Sequence, residues 1–143
     1  MTAKRAYTRE TMSSTCHCTR LRIATRKIAG LYDAALMPTG INIAQFALLR
    51  HVERLQPVSL TELGRHLELD RSTMGRNVRV IEKMGLVSLG RGEDQREAVV
   101  SLSEQGEAVL REATPLWEAC QHDIAGRLGA ERLKAIAELS QLL

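Results

Sequence analysis

Arg71, Ser72, Thr73, Arg76, Asn77 and Arg79 fall within nine consecutive residues. Their guanidiniums, hydroxyls and carboxamide are the groups that reach phosphate oxygens and base edges of a duplex. Met74, Val78 and Ile81 are interleaved with them at helical spacing, so one face of a helix is apolar and the other faces carry the polar set. Asp70 stands directly ahead as an N-cap. A second group, Cys16-His17-Cys18, carries thiol chemistry. A thiol at a helix start feels the positive end of the helix dipole, and Arg20 and Arg22 are close in sequence. Both effects favour the thiolate, the form that reacts with peroxides or binds a metal ion.

The elements that must position these groups follow from caps, periodicity and breakers. Residues 1 to about 13 are polar and basic and read as a mobile arm. From about 14 to 36, Leu21, Ala24, Ile28, Leu31, Tyr32 and Ala35 share one helical face, and Pro38-Thr39-Gly40 ends it. Asn42 and Gln45 are a cap pair for a helix carrying Phe46, Leu49 and Val52 inward until Gln56-Pro57. Ser59 and Glu62 have capping-box spacing for a short helix ending near Leu67, followed by the Asp70-capped helix. The β-rich runs 86–89 and 98–102 flank the polar loop 90–96, a hairpin whose loop is too long for a tight turn. Ser103 caps a long helix in which Pro115 predicts a bend or break near Thr114. Gly129 separates it from a last helix with Leu133, Ile136, Leu139 and Leu143. The expected fold is mainly α with a small β-hairpin wing: a winged helix-turn-helix with N- and C-terminal dimerisation helices.

At 143 residues the chain is one domain's worth. Its net charge is only +3, but the distribution is lopsided: seven Lys/Arg against one acid over 1–27, and four against eight over 97–143. A basic front and an acidic rear fit a protein that turns one side to a polyanion, although solvated helix faces alone would give the same pattern. No apolar stretch approaches the roughly 20 residues of a membrane helix, so no membrane partner is expected. Lys4 and Arg5 are not followed by the apolar run of a signal peptide. Three cysteines make no obvious disulfide framework, which places the chain in the cytoplasm. An apolar terminal helix would leave its face wet in a monomer, so a homodimer is expected. Two-fold symmetry then implies a roughly palindromic double-stranded DNA site read in neighbouring major grooves.

Over about residues 14–143 the chain resembles the multiple-antibiotic-resistance regulator (MarR) family. The matching stretches, in order, are 45–49 from Gln45-Phe46, 69–73 from Leu69-Asp70, 82–87 from Glu82-Lys83, Asp94-Gln95-Arg96, and 100–106 ending at Gln105-Gly106. The resemblance implies a dimeric transcriptional regulator, usually a repressor, over a single domain 1–143. Segments 14–36 and 103–143 would be its dimerisation helices and 42–102 its DNA-binding lobe. It puts Arg71, Ser72, Thr73, Arg76 and Asn77 in the major groove and Arg96 in the minor groove, with Arg91 and Asp94 in the same wing. An arginine suits a narrow minor groove because the potential there is strongly negative. Ser59, Thr61 and Arg65 are lesser candidates for phosphate contact, and Arg79 serves equally as a solvated residue.

Two kinds of switch are implied by the same resemblance. Some peroxide-sensing members join a first-helix cysteine to a late-helix cysteine of the other subunit, and Cys16 or Cys18 with Cys120 has that rank order along the chain. These sensors commonly carry tyrosines near the thiol, where this chain has only Tyr7 and Tyr32, with Ile43 and Phe46 in the second helix. Buried thiols of no reactivity are the plain alternative. The commoner effector is a small organic anion bound between the dimer helices and the DNA lobe. Its pocket here would be lined by His17, Leu21, Phe46, Leu49, Leu116 and Trp117, with Arg20 for a carboxylate; Trp117 is read in preference as dimer core. Metal binding at Cys16, His17 and Cys18 is a weak reading, because structural zinc needs four ligands at wider spacing. No cofactor is expected. A thiol enzyme is disfavoured, since helix neighbours such as Cys16 and His17 point about 100° apart. An architectural winged helix that never reads sequence is the remaining alternative.

Overall fold

The computed structural model describes residues 16–143, and the expected N-terminal arm lies outside the described residues. Helix α1 (His17–Leu36) runs into a 3-10 turn, Met37–Thr39, that closes on Gly40 in the left-handed region at φ 77°. Helix α2 (Ile43–Leu55) starts from a complete capping box between Asn42 and Gln45. Strand β1 (Val58–Ser59) leads directly into α3 (Leu60–Leu67) and α4 (Arg71–Lys83). Strands β2 (Val87–Arg91) and β3 (Ala98–Leu102) follow, then α5 (Glu104–Leu128) and α6 (Ala130–Leu142).

Ser59 accepts the Glu62 N–H and so caps α3, but the reciprocal half of the expected box is missing: the Glu62 carboxylate turns to Arg65 at 3.0 Å. Asp70 caps α4 through Thr73 N–H at 2.8 Å. Beyond these caps, Phe46, Leu49, Val52, Leu63, Met74, Val78, Ile81 and Val100 close into one core with at most 1% of any side chain exposed. Burial of each such side chain stabilises the fold by roughly 1.5–3 kcal/mol, and this packing is what holds α4 in place.

The sheet has three strands in the order β1-β3-β2, not the two of a simple hairpin. Val58 pairs with Val100 and Ser59 with Val99, a long-range pairing of two residues that leaves no periodic signature. Strand β2 also runs on through Gly90 and Arg91, which pair with Val99 and Ala98, so the wing loop is shorter than the 90–96 reading. The break expected at Pro115 does not occur, and α5 runs through it for 25 residues. Proline deletes a single N–H donor. Thr114 bonds the Leu110 carbonyl at 2.7 Å, and α1 packs along the helix.

Helix α3 ends on Glu68 in the left-handed region at φ 54°, with its N–H on the Arg65 and Gly64 carbonyls. A Cβ costs roughly 1–2 kcal/mol in that conformation and glycine escapes most of it. Glu68→Gly should therefore raise the urea midpoint, by about 0.5–1 kcal/mol of stability; an unchanged or lowered midpoint would mean that the Glu68 side chain contributes something more.

Candidate nucleic-acid interface

Helix α4 presents its polar residues because the opposite stripe is anchored. Met74, Val78 and Ile81 are 0% exposed, while Arg71, Ser72, Arg76, Asn77 and Arg79 are all exposed. Thr73 is engaged within its own helix. It is half-buried, its hydroxyl donates to Asp70 Oδ2 at 2.9 Å, and it accepts from Arg76 Nη2 at 3.3 Å. Thr73 thus holds Arg76 to the helix surface, leaving the other guanidinium N–H groups free to face outward. The Thr73 backbone N–H, then its hydroxyl, keep the Asp70 carboxyl below the usual carboxylate range, so the cap stays ionised.

At the wing, Arg96 is 93% exposed, and its Nε lies 3.9 Å from Asp94 Oδ1. The Asp94 carboxylate also accepts the Arg96 backbone N–H at 3.3 Å, and its carbonyl accepts that of Glu97. Asp94 therefore shapes the turn that lifts Arg96. Arg91 is tied back across the loop, donating to the Gln95 carbonyl at 3.3 Å. Of the lesser candidates, Thr61 is exposed, Ser59 is spent on capping, and Arg65 is paired with Glu62. The structure thus places two groups of outward cations, on α4 and at the wing tip.

A family model described as MarR family matches residues 39–97. The transcriptional regulator MosR of M. tuberculosis, solved in complex with DNA, superposes with a TM-score of 0.79 at 32% identity, covering 89% of this chain and 95% of that one. The chain belongs to the MarR family. Two Bacillus subtilis relatives of this MarR chain are each 28% identical: the helix-turn-helix transcriptional regulator YwoH over 89 residues, and an organic hydroperoxide resistance transcriptional regulator over 96. The matched spans cover 62% and 66% of this chain and 65% of each relative, just under two thirds of their length.

The expected switch residues of this MarR chain fall in three places. Cys16 is the N-cap of α1 and accepts the Thr19 N–H at 3.4 Å. Hydrogen bonds from Thr19, side chain and backbone, hold its thiol below the usual range. Cys18 is exposed in the first turn. Cys120 lies at the other end, beside Tyr32, whose hydroxyl donates to Gln121 Oε1. Burial, reinforced by Asp123, pushes the Cys120 thiol up; burial and then Cys120 push Tyr32 up. Cys16 and Tyr32 are 16 positions apart along α1, about 24 Å at 1.5 Å per residue, so Cys16 and Cys120 of one chain cannot pair. Among the described residues no group of three or more His, Cys, Asp or Glu side chains converges as a metal site, so the Cys16-His17-Cys18 reading gains no further ligands.

Of the residues expected around an effector, Phe46 and Trp117 border one cavity. Leu49 is 0% exposed and belongs to the core. His17, Arg20 and Leu21 do not line the cavity that Phe46 borders; it measures about 230 Å3 and is formed by Ile43, Phe46, Ala47, Arg50, His51, Arg54 and Trp117. Trp117 stacks on Phe46 of its own chain, with ring centroids 5.3 Å apart, and the Arg50 guanidinium lies 4.5 Å from the indole centroid. The signal overlooked in the sequence is Phe46, Arg50 and Arg54 at i, i+4 and i+8 on one face of α2.

Proposed function

We propose that this chain is a homodimeric, sequence-specific DNA-binding transcriptional regulator of the repressor kind, cytoplasmic and without catalytic activity. The observation that carries it is the exposed Arg76 and Asn77 of α4 standing on a fully buried stripe, with Arg96 raised on the wing. Arg71, Ser72, Arg76 and Asn77 enter the major groove, Arg96 enters the minor groove, and Thr73, Asp94 and Arg91 position them. Residues 42–102 form the DNA lobe, and 14–36 with 103–143 form the dimerisation helices. In support of pairing, Leu133, Ile136, Leu139 and Leu142 of α6 are 36–79% exposed, and Leu21 and Leu31 of α1 are also exposed. A second copy would remove that apolar surface from water.

Release from DNA follows thiol oxidation or binding of an organic anion. The first route is supported by the exposed, acidified Cys16 thiol and by the likeness to a hydroperoxide resistance regulator. Cys16 is the thiol that attacks peroxide, its thiolate breaking the O–O bond to give a sulfenic acid and release water or an alcohol, because Cys120 is harder to ionise. The disulfide to Cys120 then forms with the other subunit, within-chain pairing being out of reach. The second route is supported by Arg50, His51 and Arg54 around the Phe46–Trp117 cavity, which suit an aromatic carboxylate.

Fluorescence anisotropy on the gene's own upstream DNA tests the reading, with an unrelated duplex at the same salt as control. Selective binding to the upstream duplex is expected, lost with peroxide and regained with reductant; Cys16→Ser should remove the peroxide response alone. Equal binding to both duplexes with a steep salt dependence would instead indicate an architectural protein.

A further inference from the structure

A second cleft, of about 320 Å3, opens between the start of α2, the end of α3 and the flank of α4. This falls within the roughly 300–1,000 Å3 typical of small-molecule sites. Leu48 and Met74 form its buried floor, while Leu69 and Val80 stand at its mouth, 41% and 50% exposed. Among the described residues no charged side chain lines it; its polar side chains are the carboxamides of Asn42, Gln45 and Asn77. In the capping box, Asn42 Oδ1 accepts the Gln45 N–H at 2.9 Å and Gln45 Oε1 accepts the Asn42 N–H at 3.0 Å. Each of these two oxygens already accepts one bond, whereas the NH2 groups remain wholly as donors for a ligand. An anion entering here would be desolvated without a counter-charge. A hydrocarbon would gain nothing from the amide donors, which at the exposed Asn42 and Asn77 would stay with water. An aromatic ring suits the apolar floor, where the Met74 thioether makes favourable contacts with ring edges.

We propose that this cleft binds a small uncharged aromatic molecule bearing a hydrogen-bond acceptor, and that its occupancy withdraws Asn77 from DNA. The binding stands on the cleft alone, whereas the effect on DNA rests on α4 entering the groove. The cleft shares only Ala47 with the cationic cavity around Arg50, and its chemistry is the opposite.

The test uses the full chain with labelled methyl groups and three probes of similar size: acetophenone, benzoate and ethylbenzene. Millimolar acetophenone should shift the Ala44, Leu48, Met74 and Val80 methyls, with benzoate and ethylbenzene each binding about tenfold more weakly, the ratio that one missing or mismatched polar contact produces. Ala44→Leu fills the cleft from an exposed position and should abolish the shifts. Val80→Lys places a cation at the mouth and should exchange the preference to benzoate. Shifts confined to residues around Trp117, equal affinity for benzoate, or an unaltered response in both variants would overturn the site. Acetophenone should also weaken upstream-DNA binding by the native chain but not by Ala44→Leu. Methyl shifts without that loss would overturn the coupling to Asn77, while absence of DNA binding even without probe would count against the DNA reading alone.

Discussion

Arg96→Ala is expected to weaken binding to the upstream duplex roughly ten- to a hundredfold, the range for losing one strong groove contact. The thermal midpoint should stay where it is. The side chain is 93% exposed and its ion pair with Asp94 is long, at 3.9 Å, so the fold loses almost nothing with it. The loss should be largest on duplexes whose flanks narrow the minor groove, because the negative potential that attracts an arginine is strongest there. Salt titration separates this from a general charge effect, since removing one phosphate-neutralising cation lowers the salt slope by about one. Asn77→Ala should behave differently. Loss of a carboxamide that pairs with adenine relaxes discrimination by roughly 1–3 kcal/mol at one base pair and leaves the salt slope alone. If Arg96→Ala binds as tightly as the native chain, the wing plays no part in recognition.

The second large effect concerns stability. Gly106 lies in the first turn of α5, and a Cβ built there meets the Leu86 carbonyl oxygen at 1.9 Å. That oxygen is backbone, and it already accepts the Ser103 N–H at 3.0 Å, while the Ser103 hydroxyl donates to the Gly85 carbonyl. The start of α5 is thus clamped to the corner between α4 and β2, and neither side can yield without moving the wing. Gly106→Ala is expected to cost about 3 kcal/mol or more, at or beyond the upper end of ordinary overpacking. Gly126 in the same helix is the control, because among the described residues nothing lies within 4 Å of its Cβ position. Gly126→Ala should stabilise by up to about 1 kcal/mol, the helix-propensity difference. Urea denaturation of the two variants reads both signs, and a Gly106→Ala chain of native stability would show that the corner relaxes freely.

The helices were legible because caps and amphipathic periods are local. Asn42, Ser59, Asp70 and Ser103 each bond an N–H three residues on, and a contact at that separation leaves its mark in adjacent letters. Met74, Val78 and Ile81 were identifiable as buried for the same reason. The pairing of Val58 with Val100 was not, since it joins residues 42 apart through a two-residue strand. Pro115 did not break its helix, since the sequence records the missing donor but not α1 packed along the helix that contains it.

The division is sharper still for the site. From the sequence alone came the identity and order of the outward groups on α4 and the wing, fixed by helical spacing against an apolar stripe. Contacts three or four residues away tie Thr73 to Asp70 and Arg76, and Arg91 to Gln95, whereas tertiary structure took Leu49 of α2 into the core. It also decided that Cys16 and Cys120 stand at opposite ends of α1, and that Phe46, Arg50 and Trp117 share one cavity. Availability and proximity between distant segments depend on how helices cross and what each buries, and no short stretch of residues encodes that.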